Sequence, residues 1–382
     1  MRQRAKREGS SHLVSESTER VLTKRLRERI EREGSITFHD WMQAALYDER
    51  EGYYCRRDKI RQGRAGDYRT APETSPLFGG AFAHYFMKSY FDLGAPERWT
   101  IVDVGSGAGD FARDVLSGLR RNFPKIFAAT RYVIDEISAG AQSQILTKIA
   151  EFKDRVLFHR LDEIDESLPC AIIFSNELVD AFPVHRVIGR DGNLKELCVG
   201  LSEADDFVWV ESEASSRVLE YCERIQLRLA EGQIYEINLA AEDFVRRASS
   251  LTERGLLITV DYGAERDDLI NDPNRFKGTL RTFHRHQLGD DALSRPGEQD
   301  LTTTVDWTQM IEAGEQNGLE ALRLERLDQF LLSQGALEEM QTAAATISNQ
   351  ADLFNFNAGA RELIMPTGMA ASFQVLVQRK GS

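Results

Sequence analysis

The chain has 382 residues, which allows one large α/β domain with additions or about two or three smaller domains. Its net charge of −13 disfavours nucleic acid as a partner, because phosphates require a basic surface. Its apolar runs are shorter than the roughly 18 residues of a membrane span, so no membrane partner is expected. The four separated cysteines form no C-x-x-C pair, which favours free thiols in a reducing compartment and indicates no zinc site.

The N-terminal region is predicted to be helical after a short tail. Residues 1–16 are basic, lack the apolar segment of a secretory signal and are expected to be disordered. Glu19–Glu33 has charges around apolar residues at helical spacing, and Ile36–Leu46 predicts a second helix with Thr37 as its cap. Gly66–Gly80 is rich in Gly, Pro, Ser and Thr and is interpreted as a loop, either a lid or a packed connector.

A glycine loop between a predicted strand and a predicted helix organises the chain. Ile101–Val104 is typical of a buried strand and helical spacing begins at Phe111, so the turn contains Gly105, Gly107 and Gly109. Glycines let the backbone turn tightly and approach a ligand, and the helix N-terminus offers free N–H groups. The pattern predicts a nucleotide-binding site, with a purely structural turn as the alternative.

The spacing within this loop distinguishes between nucleotide ligands. The dinucleotide fingerprint requires a small residue where this chain has Asp110, and Asp103 lies two residues before the first glycine. A carboxylate at this position would repel a pyrophosphate but suits S-adenosylmethionine (SAM), which is cationic and carries no phosphate. The D-x-G-x-G form resembles motif I of the class I SAM-dependent methyltransferases. Another nucleotide ligand stays open as an alternative.

Candidate ligand-binding residues also follow the next two predicted strands. Glu136 lies at the end of a strand over Arg131–Ile137, where its carboxylate could accept hydrogen bonds from both hydroxyls of a ribose. Leu161 and Asp162 follow the strand Val156–His159, where an adenine would lie if the cofactor spans these strand ends. We therefore expect the cofactor to lie across the carboxyl ends of successive strands.

A fourth predicted strand, Ala171–Phe174, leads directly into an acidic segment. In open α/β sheets the chemistry lies beyond the carboxyl ends of the strands, so Glu177 and Asp180 are candidate catalytic carboxylates. The alternative is that Asn176 caps a short helix and that both acids are solvated.

The second half of the chain contains an insertion and further strands. Val184–Trp209 predicts a hairpin region with a turn at Asp191–Gly192, which interrupts the α/β alternation. Leu256–Val260 predicts the fifth strand, Gly278–His286 a sixth, and Ser372–Arg379 a final strand. The histidines at the end of the sixth strand have no acid or cysteine nearby, so no metal site is expected.

Six segments together resemble one protein family. They are GDYRTAPETSPLFG (66–79), DVGSGAGDF (103–111), SNELVDAFPVHRV (175–187), DYG (261–263), GTLRTFHRH (278–286) and DLTTTVDW (300–307). From about residue 36 to the C-terminus, the chain is similar to the MidA-like family of SAM-dependent methyltransferases. That family includes a mitochondrial assembly factor of respiratory complex I, which methylates arginine on a core subunit. Its glycine motif is commonly led by glutamate and contains Pro and Arg, whereas this chain has Asp103 and Ser106-Gly107-Ala108; the carboxylate and the glycines needed for cofactor binding remain.

The resemblance implies a class I SAM-dependent methyltransferase fold. This is a Rossmann-like α/β fold with a mostly parallel seven-stranded sheet, here joined by an N-terminal helical region and a β-hairpin insertion. The implied domains are a helical and lid-loop region at 17–97 and a methyltransferase domain at 98–382, with the insertion at about 184–215.

The expected roles of the site residues combine the resemblance with the strand-end positions. The cofactor-binding residues are expected to be Asp103 at the ammonium, Gly105, Gly107 and Gly109 under the methionine portion, Glu136 at the ribose, Leu161 and Asp162 at the adenine, and Asn176. For a protein substrate with an exposed arginine, Glu177 and Asp180 would clamp the guanidinium, whose geometry fits carboxylates. His185 is a less favoured proton acceptor.

Two other functional classes stay open. The chain could be a non-catalytic assembly or scaffold protein that retains the fold, or an NAD-linked oxidoreductase, which the glycine spacing disfavours. The cytoplasm is the expected location. A mitochondrial matrix location is the alternative, although Glu8, Glu16 and Glu19 are unusual for a presequence.

Overall fold

The structure, a computed structural model, describes residues 20–56, 70–284, 287–289 and 291–381. The predicted tail at 1–16, the first residues of the predicted loop at 66–69, and Arg285 and His286 lie outside the described residues. Within these ranges, no helix combines the length and the apolar character needed to cross a membrane.

The N-terminal region is helical, as predicted. Its elements are α1 (Val21–Glu33), β1 (Ile36–Thr37), α2 (Phe38–Tyr47), α3 (Ala71–Thr74) and α4 (Leu77–Asp92). Thr37 caps α2 by accepting a hydrogen bond from the backbone N–H of Asp40 at 3.1 Å, which confirms the predicted cap. The helix begins later than predicted, because Ile36 and Thr37 pair with a strand of a sheet.

The prediction of a loop over Gly66–Gly80 is wrong in its described part. The side chain of Glu73 accepts a hydrogen bond from the backbone N–H of Thr70 at 3.1 Å and so supports the start of α3. Pro72 and Pro76 suggested a loop, but they lie at the beginnings of α3 and α4, where proline is tolerated. Ala71, Leu77 and Phe78 of this segment are buried, as in a packed connector.

The first four strands of the central sheet alternate with helices, as predicted. The elements are β2 (Trp99–Val104), α5 (Asp110–Asn122), α6 (Pro124–Ala129), β3 (Thr130–Asp135), α7 (Ala139–Lys148), β4 (Val156–Phe158) and β5 (Ala171–Asn176). Strands β2 and β5 are buried along almost their whole length, which explains their uninterrupted apolar runs.

The insertion forms part of a second, antiparallel sheet. Its elements are β6 (His185–Arg190), β7 (Asn193–Leu201), β8 (Phe207–Ser212), α8 (Ser216–Arg224) and β9 (Ile234–Ile237). Asp191 and Gly192 have φ angles of 49° and 75° and connect β6 to β7, which confirms the predicted turn. The sheet order is β1-β7-β6-β9, with β8 also paired to β7, so the sheet uses residues on both sides of the 184–215 range.

The remaining elements complete the central sheet and add a small one. They are α9 (Leu239–Leu251), β10 (Gly255–Asp261), β11 (Gly263–Ala264), α10 (Arg266–Asn271), β12 (Arg281–His284), β13 (Gln287–Gly289), β14 (Asp300–Thr302), β15 (Val305–Asp306), α11 (Trp307–Gln316), β16 (Leu319–Arg326), α12 (Leu327–Ser333), α13 (Ala336–Thr346), α14 (Gln350–Ile364) and β17 (Gln374–Lys380). The predicted fifth and final strands are confirmed as β10 and β17. The predicted sixth strand does not join the central sheet: β12 pairs with β13 and β14 in a separate antiparallel sheet. Its polar sequence lacks the apolar run of a strand buried on both faces.

The central sheet has the order β4-β3-β2-β5-β10-β17-β16, which confirms a mostly parallel sheet of seven strands. Among the described strands of this sheet, β17 alone runs antiparallel to both of its neighbours, β10 and β16. A buried aromatic cluster holds α4 and α5 on this sheet, with the rings of Phe111 and Phe174 stacked at 4.0 Å. The chain leaves β2 towards β3 on one side and returns to β5 on the other, so a crevice opens at the carboxyl ends of β2 and β5.

Candidate active site

A cavity of about 630 Å³ occupies this crevice. Of the eleven predicted site residues, nine line it: Asp103, Gly105, Gly107, Glu136, Leu161, Asp162, Asn176, Glu177 and Asp180. Counting only described residues, the lining carries ten carboxyl side chains and two guanidinium groups. This excess of acidic side chains suits a cationic ligand better than a phosphate.

The glycine loop has the conformation that its sequence requires. Gly105, Gly107 and Gly109 have φ angles of 73°, 57° and 77°, which other residues rarely adopt. A Cβ at Gly105 would lie 2.9 Å from Cδ1 of Leu178, and a Cβ at Gly109 would lie 2.9 Å from Cγ1 of Ile145. Gly109 is the N-cap residue of α5 and does not line the cavity.

Asp103 is the buried carboxyl group beneath the loop. Its Oδ2 accepts hydrogen bonds from the Ser106 hydroxyl at 2.6 Å and from the Tyr132 hydroxyl at 3.2 Å. Burial raises the pKa of Asp103 to about 7, and the two hydroxyl donors oppose that rise. The group is therefore poised to become fully ionised when a cation approaches.

Glu136 fixes the glycine loop from the end of β3. Its Oε2 accepts a hydrogen bond from the backbone N–H of Gly107 at 2.9 Å, and its Oε1 accepts one from Ser138 N–H at 2.8 Å. The carboxylate is thus held in place and lines the cavity next to the loop.

Asp135 is a site residue that the sequence interpretation missed. Its Oδ2 accepts a hydrogen bond from the backbone N–H of Leu161 at 2.8 Å, and its Oδ1 lies 2.7 Å from Nε of Arg160. It thereby places Leu161 and Asp162 on the cavity wall, where the Asp162 side chain is 80% exposed. The strand ends at Asp135 and not at the predicted Ile137, so strand-end reasoning with the correct boundary would have found it.

Glu177 follows β5 in a strained conformation, with a φ angle of 49°. Its Oε1 accepts hydrogen bonds from the backbone N–H of Ala71 at 3.1 Å and from Nδ2 of Asn176 at 3.0 Å. Burial raises the pKa of the Glu177 carboxyl to about 8. Asn176 is the last residue of β5 and caps no helix, so that alternative reading is wrong.

Asp180 lines the cavity, and a second buried carboxyl group lies next to it. Its Oδ2 accepts a hydrogen bond from the Tyr262 hydroxyl, and its backbone N–H donates to Oδ2 of Asp261 at 3.2 Å. Burial raises the pKa of Asp180 to about 6, and burial followed by the charge of Asp180 raises the pKa of Asp261 well above its usual range. These acids are enclosed by protein rather than solvated. Asp261 and Tyr262 end β10, so the strand-end rule could have identified them.

The small sheet and the N-terminal region also line the cavity. The small sheet contributes Arg281 and Phe283 from β12 and Asp300 and Thr302 from β14. The Tyr54 hydroxyl donates a hydrogen bond to Oδ1 of Asp300 at 2.7 Å, which ties the segment after α2 to β14. These residues come from distant parts of the chain, and no local pattern predicts their meeting.

His185 lies outside the cavity. Its Nδ1 is 2.7 Å from Oε1 of Glu196, and its ring stacks on His39 at 4.8 Å between centroids. This placement gives no support to a role as proton acceptor. Within the described ranges, no three His, Cys, Asp or Glu side chains are grouped so that they could hold a metal ion.

Comparisons with known proteins agree with this architecture. Residues 81–324 match the model of a family described as S-adenosyl-L-methionine-dependent methyltransferases. The chain is 26% identical to the protein arginine methyltransferase NDUFAF7 homolog, mitochondrial, of Drosophila melanogaster, over 80% of this chain and 72% of that protein. It is 24% identical to the human protein arginine methyltransferase NDUFAF7, mitochondrial, over 77% of this chain and 69% of that one.

A solved structure is similar over nearly the whole chain. It is a COG1565 superfamily member from Burkholderia thailandensis bound to S-adenosyl-homocysteine, with a TM-score of 0.81 and 26% identity, covering 94% of this chain and 92% of that one. The family match, the strand order and the acidic cavity agree on SAM as the cofactor. The chain belongs to the MidA-like family of SAM-dependent methyltransferases.

Proposed function

We propose that this methyltransferase methylates the guanidinium group of an arginine on a protein substrate. The proposal rests on one observation: two carboxyl groups, the half-buried Glu177 and the buried Asp180, line the cavity beyond β5, next to the glycine loop. Carboxylates in pairs match the fork of N–H donors on a guanidinium. The names of the curated relatives, which are protein arginine methyltransferases, support the same substrate class.

The residues beside the glycine loop fit SAM. Asp103 would hold the ammonium, Gly105 and Gly107 would lie under the methionine portion, and Glu136 would accept hydrogen bonds from the ribose. Leu161 lies on the wall where the adenine would pack. When bound, SAM supplies a methyl group activated by a positively charged sulfur.

Glu177 and Asp180 would orient the nitrogen that attacks this methyl group. Both donors to Glu177 reach Oε1, so Oε2 is the oxygen that a guanidinium can pair with. The displacement forms a nitrogen–carbon bond as the carbon–sulfur bond breaks, and it requires the three atoms in line. Fixing the guanidinium plane between two carboxylates supplies that alignment.

The raised pKa of Glu177 also suits it to receive a proton. A guanidinium has a pKa above about 12, so it gives up a proton only as the new bond forms. Pairing with the cation stabilises the ionised form of Glu177 and releases its own proton to solvent. The resulting carboxylate, which lies beside the nitrogen, can then accept the proton that the nitrogen loses as the methyl group is transferred.

Transfer of labelled methyl from SAM to proteins of a cell lysate tests the proposal. We expect label on arginine side chains, identified by mass spectrometry of the labelled proteins. Glu177→Gln should lower the transfer rate about 100-fold, because loss of a general base typically costs this much. Gln keeps the hydrogen bond from Ala71, and the affinity for S-adenosyl-homocysteine should stay within a few-fold of the wild type.

Glu203→Gln is the matched control, because Glu203 is an exposed acid outside the cavity. Its transfer rate should equal that of the wild type. Label on another residue type, or an unchanged rate in Glu177→Gln, would contradict the proposal. Cofactor binding without any transfer would instead favour a non-catalytic assembly protein.

The target and its compartment follow only from the family resemblance. We propose a subunit of respiratory complex I as the target. The cytoplasmic location stays a prediction, and the word mitochondrial in the names of the relatives favours the matrix alternative.

A further inference from the structure

Two of the family-like segments, GTLRTFHRH and DLTTTVDW, have no role in the chemistry described above. The structure brings them together, because β12 and β14 are neighbours in the small sheet. Arg281 pairs with Thr302 and Phe283 pairs with Asp300 across the two strands, and all four line the cavity. One face of this sheet therefore forms part of the cavity wall.

Arg281 carries a polar atom with no partner on that wall. Its guanidinium lies over the ring of Tyr262 at 4.4 Å and donates to the Thr304 hydroxyl at 3.3 Å. Its Nε is shielded from solvent and has no hydrogen-bond partner among the described residues. A buried N–H without an acceptor costs free energy, and a ligand that supplies an acceptor recovers it.

Thr302 carries a second such atom directly across the ladder. The residue is 5% exposed, and its hydroxyl has no partner in the part of the chain that the structure describes. A hydroxyl can donate to the same acceptor that Arg281 approaches. The two groups form a donor pair, and both residues line a cavity otherwise rich in carboxylates.

The position of this pair separates it from the expected cofactor. Tyr262, on which Arg281 stacks, follows β10, and β5 lies between β10 and the strand that leads into the glycine loop. The donor pair therefore lies on the side where Glu177 and Asp180 would receive the substrate. The carboxylates of Asp180 and Asp300 disfavour a second anion here, so a neutral acceptor fits best.

We propose that Arg281 and Thr302 bind a main-chain carbonyl oxygen of the substrate, next to the arginine that is methylated. This inference rests on the proposed function and deepens it, because it makes the enzyme specific for arginine within a peptide chain. A guanidinium on a simple alkyl chain would reach the carboxylates but would leave Arg281 and Thr302 without their acceptor.

Calorimetry on the protein saturated with S-adenosyl-homocysteine tests the inference with two small probes. N-Butylguanidine carries the guanidinium without a carbonyl, Nα-acetyl-L-arginine N-methylamide carries both, and each probe has a single positive charge. We expect the amide probe to bind about tenfold more tightly, the typical effect of a hydrogen bond to a charged donor. Arg281→Met should reduce this ratio to about one, and Thr302→Val should lower it about threefold.

Thr282→Val is the matched control. Thr282 lies on the neighbouring position of β12, is 4% exposed and also has a hydroxyl without a described partner, but it does not line the cavity. The ratio should stay unchanged in this variant. Melting temperatures of all three variants establish that each is folded.

The possible failures are distinguishable. Equal binding of the two probes to the wild type, or an unchanged ratio in Arg281→Met, would overturn the inference and leave the proposed function intact. Tighter binding of Nα-acetyl-L-arginine, which carries a free carboxylate and no ammonium, than of the amide probe would also overturn it, since the acceptor would then be a carboxylate. If neither probe binds while S-adenosyl-homocysteine does, the proposed function itself fails.

Discussion

The environment of the Glu177 side chain costs the folded protein free energy. The residue is half-buried, and the two hydrogen-bond donors of its carboxyl group do not offset the loss of hydration, so the pKa is raised to about 8. The left-handed backbone conformation adds strain at the same residue. Such costs persist where a site is organised for a ligand, here a cation that would pair with the carboxylate.

This environment predicts how stability depends on pH in the absence of ligand. Between its ordinary pKa of 4.5 and the folded value of about 8, Glu177 holds a proton in the folded state that the unfolded state has released. The free energy of unfolding should therefore fall as the pH rises from about 5 to about 8. Glu177→Gln removes this titration, so its stability should fall less over that range in urea unfolding experiments.

The prediction concerns the difference between the wild type and Glu177→Gln. Asp103 and Asp180 also have raised pKa values, so they make the stability of both proteins fall as the pH rises. Glu203→Gln, which changes an exposed acid, should follow the wild-type curve. Parallel curves for the wild type and Glu177→Gln would show that the carboxyl of Glu177 titrates normally.

At the scale of elements, one buried ion pair connects the second sheet to the approach to β12. Nε of Arg186 in β6 donates to Oε1 of Glu236 in β9 at 3.0 Å, and both side chains are less than one-tenth exposed. Oε2 of Glu236 accepts a hydrogen bond from the backbone N–H of Thr279 at 2.7 Å. Thr279 lies two residues before Arg281, so this pair helps to position the cavity wall.

Removing one charge of this pair should destabilise the protein strongly. Glu236→Gln keeps an acceptor for Thr279 but leaves the Arg186 charge buried and unpaired, which should cost about 3 kcal/mol in urea unfolding. The double variant Arg186→Met with Glu236→Gln should lose less, because no unpaired charge remains. The exposed pair of Arg379 and Glu320 is the control, and Arg379→Gln should change stability by less than about 1 kcal/mol. Equal losses in the single and double variants would be inconsistent with this explanation.

The elements also show what the sequence could and could not predict. Strands β2, β3, β5 and β10 were predictable because they are buried along most of their length and each contains a short run of apolar residues. The glycine-loop spacing, the strand-end rule and the family resemblance together identified the nine of the eleven predicted site residues that line one cavity. Helix α3 and the start of α4 were missed because proline signals a break but is also favoured at a helix start.

Contacts between distant segments were beyond sequence reasoning. The donor pair of Arg281 and Thr302 depends on the register of β12 against β14, and Tyr54 reaches Asp300 across 246 residues. His185 appeared to belong to the acidic segment in sequence, but the strand that follows Pro183 carries it into the second sheet. Local patterns specify strands and turns, whereas the far side of a cavity is determined by packing.

At the scale of the whole molecule, charge is distributed so that the cavity attracts cations. The chain has a net charge of −13, and carboxyl groups outnumber guanidinium groups ten to two among the described residues that line the cavity. Such a field raises the local concentration of positively charged ligands and is screened by salt. SAM carries one positive charge more than S-adenosyl-homocysteine, and the two ligands have almost the same shape. The difference between their affinities therefore reports on this field.

The salt dependence of the two affinities should therefore differ. Between about 0.05 M and 0.5 M ionic strength, where the screening length falls severalfold, the affinity for SAM should weaken about threefold more than that for S-adenosyl-homocysteine. Calorimetric titrations of both ligands at each ionic strength give the two slopes. Because the zwitterionic amino acid part and the adenosine are shared, changes in their hydration cancel in the comparison. Identical slopes would mean that the carboxyl groups of the cavity are neutral or paired in the cofactor-bound protein, and the charge-based choice of SAM would then need another physical origin.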